Sequence, residues 1–79
     1  MAKVTEQDLI DCGFKKEDGS YFKYYPHEIL GMLELEVYEN TIFIRQKNLN
    51  TTINLSDIYL TPANLDLFIR FAKGENIND

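Results

Sequence analysis

Apolar and polar positions alternate between residues 32 and 55, in the segment MLELEVYENTIFIRQKNLNTTINL. Because successive side chains of a β-strand point to opposite faces, each alternating run predicts a strand with one apolar face and one polar face. Glu39-Asn40 and residues 47–50 separate the runs and have turn-forming composition. The segment therefore predicts a three-stranded antiparallel meander.

A two-residue turn at Glu39-Asn40 fixes the register of the first two strands, and a four-residue loop at 47–50 fixes that of the third. The same register satisfies the apolar pattern and one pair of opposite charges, whereas a slip of one residue would put the apolar set in water. The predicted cross-strand pairs are Val37–Ile42, Leu35–Ile44, Glu34–Arg45, Ile44–Ile53 and Ile42–Leu55.

The meander has two predicted faces, which we call inner and outer. The inner face is apolar and comprises Leu33, Leu35, Val37, Ile42, Ile44, Ile53 and Leu55. The outer face comprises Glu34, Glu36, Tyr38, Thr41, Phe43, Arg45, Thr52 and Asn54. Phe43 is the one large apolar side chain on the outer face.

A short helix is predicted over about residues 6–12. Thr5 is a good N-cap residue, and Asp8 stands at the capping-box position three residues later. Gly13 fits the left-handed position that follows a helix. Helices this short are unstable alone, so Leu9, Ile10 and Cys12 are expected to pack against the rest of the fold, with the Cys12 thiol buried and inert.

A hairpin is predicted from strands at 14–16 and 20–25, because Asp18-Gly19 between strand-like runs favours a tight turn. Tyr21, Lys23 and Tyr25 would share one face of the second strand, with Phe22 and Tyr24 on the other. Pro26 is expected to end this strand, since proline donates no hydrogen bond. Residues 29–31 then lead into the meander, either as an irregular bridge or as one helical turn.

A second helix is predicted over about residues 62–73. Thr61-Pro62 supplies an N-cap and a proline at the first helical position, and Gly74 ends the helix. The predicted core-facing stripe is Leu65, Phe68, Ile69 and Ala72, widened on one flank by Leu67 and Phe71.

Together these elements predict a single α+β domain over residues 1–79. Its antiparallel sheet has four or five strands, formed by the hairpin and the meander, with the C-terminal helix packed on the apolar face. The N-terminal helix packs beside it or on the other face. Residues 1–4 and 75–79 are expected to be frayed.

The net charge of −5 lies in the first half of the chain: residues 1–40 hold nine acidic and four basic side chains, and residues 41–79 hold four of each. This balance argues against direct nucleic-acid binding and allows a basic protein partner. There is no long apolar run and no basic-apolar leader, so we expect no membrane span and no secretion. A single cysteine favours a reducing, cytoplasmic location.

No catalytic, cofactor or metal site is predicted. His27 and Cys12 are single representatives of their types, which disfavours a zinc site and a cysteine–histidine nucleophile pair. His27 is expected to be a solvated turn residue. Glu34 and Glu36 share a face that Arg45 can neutralise, so acid–base catalysis by them is not expected.

A nucleic-acid platform is a further alternative, because Tyr21, Lys23 and Tyr25 resemble in miniature the interleaved aromatic and basic side chains that stack bases. A single lysine in an acidic half supplies little charge. Packing of these tyrosines against the first helix or a loop is the competing interpretation.

The outer face gives the main candidate site, a protein-binding surface formed by Glu34, Glu36, Tyr38, Phe43 and Arg45. An aromatic side chain surrounded by tyrosine and arginine has the composition of an interface hot spot. The alternatives are that the first helix or the hairpin covers Phe43 in a second small core, or that the register is slipped.

Two functional hypotheses follow. In the first, the protein is a non-enzymatic adaptor, regulator or inhibitor that binds a protein partner through this face. In the second, it mimics nucleic acid and blocks a basic groove, as inhibitors encoded by phages and mobile elements can. The strand Thr51–Leu55 is also a candidate edge through which two copies could pair.

Overall fold

The computed structural model describes residues 3–47, 51–54 and 59–75. Along the chain it contains α1 (Glu6–Asp11), β1 (Lys15–Glu17), β2 (Ser20–His27), β3 (Gly31–Tyr38), β4 (Thr41–Gln46), β5 (Thr51–Asn54) and α2 (Pro62–Ala72). The five strands form one antiparallel sheet in the order β1-β2-β3-β4-β5. The predicted α+β architecture is therefore confirmed, with five strands in the sheet.

Both tight turns lie where the sequence predicts them. Glu39 and Asn40 have φ of 47° and 63°, and Asp18 and Gly19 have φ of 52° and 84°. Positive φ at both central residues gives the turn a twist that matches the twist of the flanking strands. The predicted pairs Val37–Ile42, Leu35–Ile44, Glu34–Arg45 and Ile44–Ile53 are all present. The predicted partner of Ile42, Leu55, lies outside the described residues, as do residues 48–50 of the predicted loop.

Both helices pack on the inner face. Leu9 of α1 and three residues of α2 are buried in the same core as the inner residues of β3 and β4. Leu60, which precedes α2, is fully buried and fixes the connector against this core. The core consists of Leu9, Phe14, Tyr25, Leu33, Leu35, Val37, Ile42, Ile44, Leu60, Leu65, Ile69 and Ala72. Of the two placements considered for the N-terminal helix, the one beside α2 is therefore correct.

The ends of both helices are capped as the sequence predicts. The Thr5 hydroxyl accepts the Asp8 N–H at 3.1 Å, and the Asp8 carboxylate accepts the Thr5 N–H at 2.9 Å. At the other end Gly13, with φ of 90°, lets the Phe14 N–H donate to the Leu9 carbonyl. The same closing arrangement follows α2, where Gly74 has φ of 82°. These bonds satisfy helix-end groups that would otherwise lack partners.

Several sequence-based expectations are wrong. Helix α1 ends at Asp11, and Cys12 is an exposed C-cap residue rather than a buried one. Ile10 is also exposed, because a helix of six residues presents only one narrow side to the core, which Leu9 occupies. On α2, Leu67 and Phe71 remain exposed, so the buried stripe is narrower than predicted.

Pro26 does not end its strand, since β2 continues to His27 and Pro26 lies opposite Met32. Strand β1 pairs only with Ser20–Phe22, so the last residues of β2 have a neighbouring strand on one side only. Proline is tolerated at such an edge because no ladder hydrogen bond is required of its nitrogen.

The two ends of the chain were expected to fray. Val4 and Glu75, which belong to these ends, donate backbone hydrogen bonds to the carbonyls of Leu60 and Arg70. Residues 1–2 and 76–79 lie outside the described residues. Val4 and Glu75 are thus each joined to the rest of the chain by one backbone hydrogen bond.

Candidate functional site

The site forms on the outer face, where two cross-strand rows lie side by side. The first row runs across four strands through Lys15, Phe22, Glu36 and Phe43. The second row runs through Tyr24, Glu34, Arg45 and Thr52. Side chains directly opposite each other on one face of a sheet are close enough to touch. The fold thus brings Glu34, Glu36, Phe43 and Arg45 together, as the alternation of the sequence predicts.

Arg45 is held by two carboxylates. Its Nη1 lies 2.7 Å from Oε1 of Glu34, the residue directly opposite, and 2.6 Å from Oε1 of Glu36, the diagonal neighbour. These hydrogen bonds raise the pKa of the Arg45 guanidinium above its usual value, and the bond to Glu36 has the larger effect. One arginine therefore neutralises about half of the acidic charge at this point, and the two glutamates fix its orientation.

Tyr24 extends the charged group onto β2. Tyr24 lies directly opposite Glu34, and the nearby Glu34 carboxylate is the main reason that the pKa of Tyr24 is raised. The ammonium group of Lys47 lies 5.3 Å from the centre of the Tyr24 ring, within the range of a cation–π contact. Tyr24 itself is half exposed. It presents an aromatic ring to solvent beside the Glu34–Arg45 pair.

Two hollows flank Tyr24. The larger, of about 690 Å³, is lined by residues that include Lys15, Glu17, Phe22, Tyr24 and Glu36. The smaller, of about 200 Å³, is lined by Tyr24, Glu34, Arg45, Gln46 and Lys47. Both are open depressions on the sheet surface, of a size that suits protruding side chains of another molecule.

Phe43 is not buried in a second core. Helix α1 lies on the inner face, and the hairpin adds its strands edge-on to the sheet instead of folding over the outer face. Within the part of the chain that the structure describes, no helix covers the outer face. Phe43 and Phe22 are each partly exposed beside Glu36. Tyr38, the fifth predicted site residue, is exposed at the end of β3 next to the Glu39-Asn40 turn.

Three members of this surface, Phe22, Tyr24 and Lys15, are not among the predicted site residues. The sequence pattern places Phe22 and Tyr24 on one face of β2, but it leaves the connection from β2 to β3 open. The structure closes that connection with a turn at residues 28–30, whose N–H groups at Ile29 and Leu30 both donate to Nδ1 of His27 at 3.1 Å. His27 is therefore a turn-stabilising residue rather than a solvated one.

The two tyrosine side chains considered for base stacking lie on the inner face, and the Lys23 ammonium group lies 5.6 Å from the centre of the Tyr25 ring. Tyr25 is buried in the core, and burial raises its pKa to about 12. The Tyr21 hydroxyl donates to the Glu6 carboxylate of α1, which Lys16 also approaches at 3.4 Å. The Tyr21 hydrogen bond and Lys16 together lower the pKa of Glu6. Packing against the first helix is the correct interpretation of these aromatic side chains.

The described part of the chain has neither a metal-binding cluster nor a membrane-spanning helix. Among residues 3–47, 51–54 and 59–75, no three His, Cys, Asp or Glu side chains lie close enough to hold one metal ion. In these ranges, too, neither helix has the length and apolar character needed to cross a membrane. Comparisons of the chain with protein-family models, with curated proteins and with solved structures find no match.

Proposed function

We propose that this protein is a non-enzymatic binding module whose outer sheet face docks onto a protein partner. The observation that carries the proposal is that Phe22, Tyr24 and Phe43 remain partly exposed around an arginine already fixed by two glutamates. Aromatic and arginine side chains are the residue types enriched at the energetic centres of interfaces. Side chains that are fixed before binding lose less conformational entropy when a partner docks.

The charged residues that line the larger hollow indicate which side chains of a partner would bind there. Glu17, Asp18, Glu34 and Glu36 line it, against the two basic residues Lys15 and Lys23. Because Glu34 and Glu36 share Arg45, the free negative charge comes from Glu17 and Asp18, and it favours a basic side chain of the partner beside them, with apolar side chains on Phe22 and Phe43. A cytoplasmic location remains a prediction, based on the single cysteine.

The nucleic-acid mimic has less support on this face. A mimic needs a series of carboxylates whose charge is free to replace that of phosphates. Here Glu34 and Glu36 share Arg45, and Lys15 lies in the same cross-strand row as Glu36. The same pairing argues against acid–base catalysis, because both carboxylates are already engaged by a guanidinium group.

A pull-down with matched baits tests the proposal. The native protein is compared with Phe43→Ser on the outer face and with Leu67→Ser, which removes an exposed apolar side chain from α2. We expect a protein retained by the native and Leu67→Ser baits and lost by Phe43→Ser. Equal retention by all three folded baits would refute the outer face as the docking site.

Salt dependence then separates the two kinds of partner. Between about 0.05 M and about 0.5 M salt, an interface centred on aromatic side chains should weaken modestly, whereas a mimic should lose its partner steeply. A steep loss, together with retention by the Phe43→Ser bait, would favour the mimic.

A further inference from the structure

The two edges of the sheet differ in how they are protected against pairing with another chain. Strand β1 has three residues, Lys15, Lys16 and Glu17, and all are charged and exposed. Short, charged edge strands are a common way to prevent association. Strand β5, Thr51–Asn54, has the sequence TTIN, without charge or proline, and among the described strands it pairs only with β4. The described residues of β5 therefore lack the charged side chains that protect the β1 edge.

Ile53 is the last residue of an apolar cross-strand row on the inner face, and no described strand lies beyond it. It lies opposite Ile44, which in turn lies opposite Leu35. Leu35 and Ile44 are 0% and 6% exposed, but Ile53 is 49% exposed. The apolar row thus reaches the edge of the sheet with half of its last side chain in water, where one more strand would cover it.

We propose that two copies of this chain pair antiparallel through β5, with Ile53 of one copy directly opposite Ile53 of the other. A two-fold axis perpendicular to the sheet keeps the inner faces of both copies on one side, so residues that face each other must belong to the same face. The Ile53-centred register meets this condition and places Thr52 opposite Asn54 of the second copy. The inner apolar rows then join into one row across a ten-stranded sheet.

The proposed partner of the β5 edge is a second copy of the chain, because this edge is complementary to itself. Pairing TTIN with itself brings no like charges together, and a β-branched pair at the centre is a favourable cross-strand contact. The alternative register, centred on Thr52, would leave Ile53 opposite Thr51 and gain less apolar contact. A four-residue edge is smaller than a typical stable interface. The dimer is therefore weak and forms only at high protein concentration.

Sedimentation tests the pairing. From about 10 µM to about 1 mM the native protein should shift from monomer towards dimer, a range chosen for a small interface. Ile53→Lys, which places two like charges opposite each other, should stay monomeric while remaining folded, because the position is half exposed. A monomeric native protein at the highest concentration, or a dimer that survives Ile53→Lys, overturns the proposal.

Disulfide trapping tests the register. In a Cys12→Ser background, which removes the exposed native thiol, Ile53→Cys and Thr52→Cys are oxidised under identical conditions. Facing cysteines lie within disulfide distance, whereas two cysteines introduced at position 52 would be offset along the strands. We expect at least ten-fold faster dimer formation for Ile53→Cys, and equal or reversed rates contradict the proposal. The Phe43→Ser protein should dimerise like the native one, so failure here is distinguishable from failure of the outer-face proposal.

Discussion

Arg45 and Glu36 are diagonal neighbours on adjacent strands, and their charged groups are nevertheless 2.6 Å apart. The carboxylates of Glu36 and of Glu34, which Arg45 also contacts, belong to side chains that are only 14% and 15% exposed, so neither is fully solvated. Removal of the guanidinium would leave two partly desolvated like charges side by side. The contact therefore stabilises the centre of the outer face as well as orienting Arg45.

Arg45→Met should destabilise the protein by about 1 kcal/mol, because partly exposed ion pairs contribute little and the two carboxylates lose a shared partner. Urea unfolding followed by circular dichroism measures this change. Glu36→Gln in the Arg45→Met background should restore part of the loss, since one of the two like charges is removed. An Arg45→Met protein as stable as the native one would show that the carboxylates are well solvated.

His27 stabilises the turn between β2 and β3 in two ways. Its Nδ1 accepts two backbone N–H groups, and its ring lies 6.0 Å from that of Phe71 on α2. His27→Ala should cost about 1–2 kcal/mol through the unpaired amides and the lost ring contact. His27→Asn places an acceptor oxygen near the position of Nδ1. It should therefore recover the part of the lost stability that comes from the hydrogen bonds of the turn. Equal unfolding free energies for both variants would contradict the assigned hydrogen bonds.

Stability should fall at alkaline pH because of Tyr25. Its pKa is raised to about 12 by burial, whereas that of the unfolded chain is about 10. The folded state favours the neutral phenol, so this contribution is complete below about pH 10 and is lost as the pH rises towards 12. The expected loss is on the order of 2 kcal/mol by linkage. The unfolding free energy of Tyr25→Phe should decline less steeply over this pH interval. Identical curves of unfolding free energy against pH for both proteins would contradict the role of Tyr25.

Cys12 should react with a thiol reagent in the native protein without denaturant, because it caps α1 in an exposed position. Cys12→Ser should change the unfolding free energy by less than about 0.5 kcal/mol, as is usual for exposed sites. A thiol that reacts only after unfolding would instead support the buried cysteine that the sequence suggested.

The sequence was sufficient to predict the elements whose contacts are made with residues close along the chain. The Glu39-Asn40 and Asp18-Gly19 turns set their hairpins locally, so the Glu34–Arg45 pair followed from alternation alone. The helix caps at Thr5 and Thr61 are likewise local. These features rest on backbone geometry and short-range hydrogen bonds that a single stretch of sequence specifies.

The rest depended on contacts that the sequence does not specify locally. The turn before Gly31 lacks a strong turn signal and is stabilised by the His27 side chain, so the alignment of β2 with β3 could not be predicted. That alignment decides that Phe22 and Tyr24, and not Tyr25, join the outer face. Whether Ile10 and Cys12 were covered depended on the angle at which α1 meets the sheet, which is a property of tertiary packing.

Site-specific photo-crosslinking tests most directly whether the outer face is the docking surface. A benzoyl-phenylalanine is placed at Phe43 or at Phe22, and in the matched control at Ile10, an exposed apolar position on α1. The proteins are irradiated in cells that naturally produce the chain. We predict the same partner adduct from positions 43 and 22 and none from position 10. An adduct from position 10 alone, or identical adducts from all three positions, would contradict a partner-binding outer face.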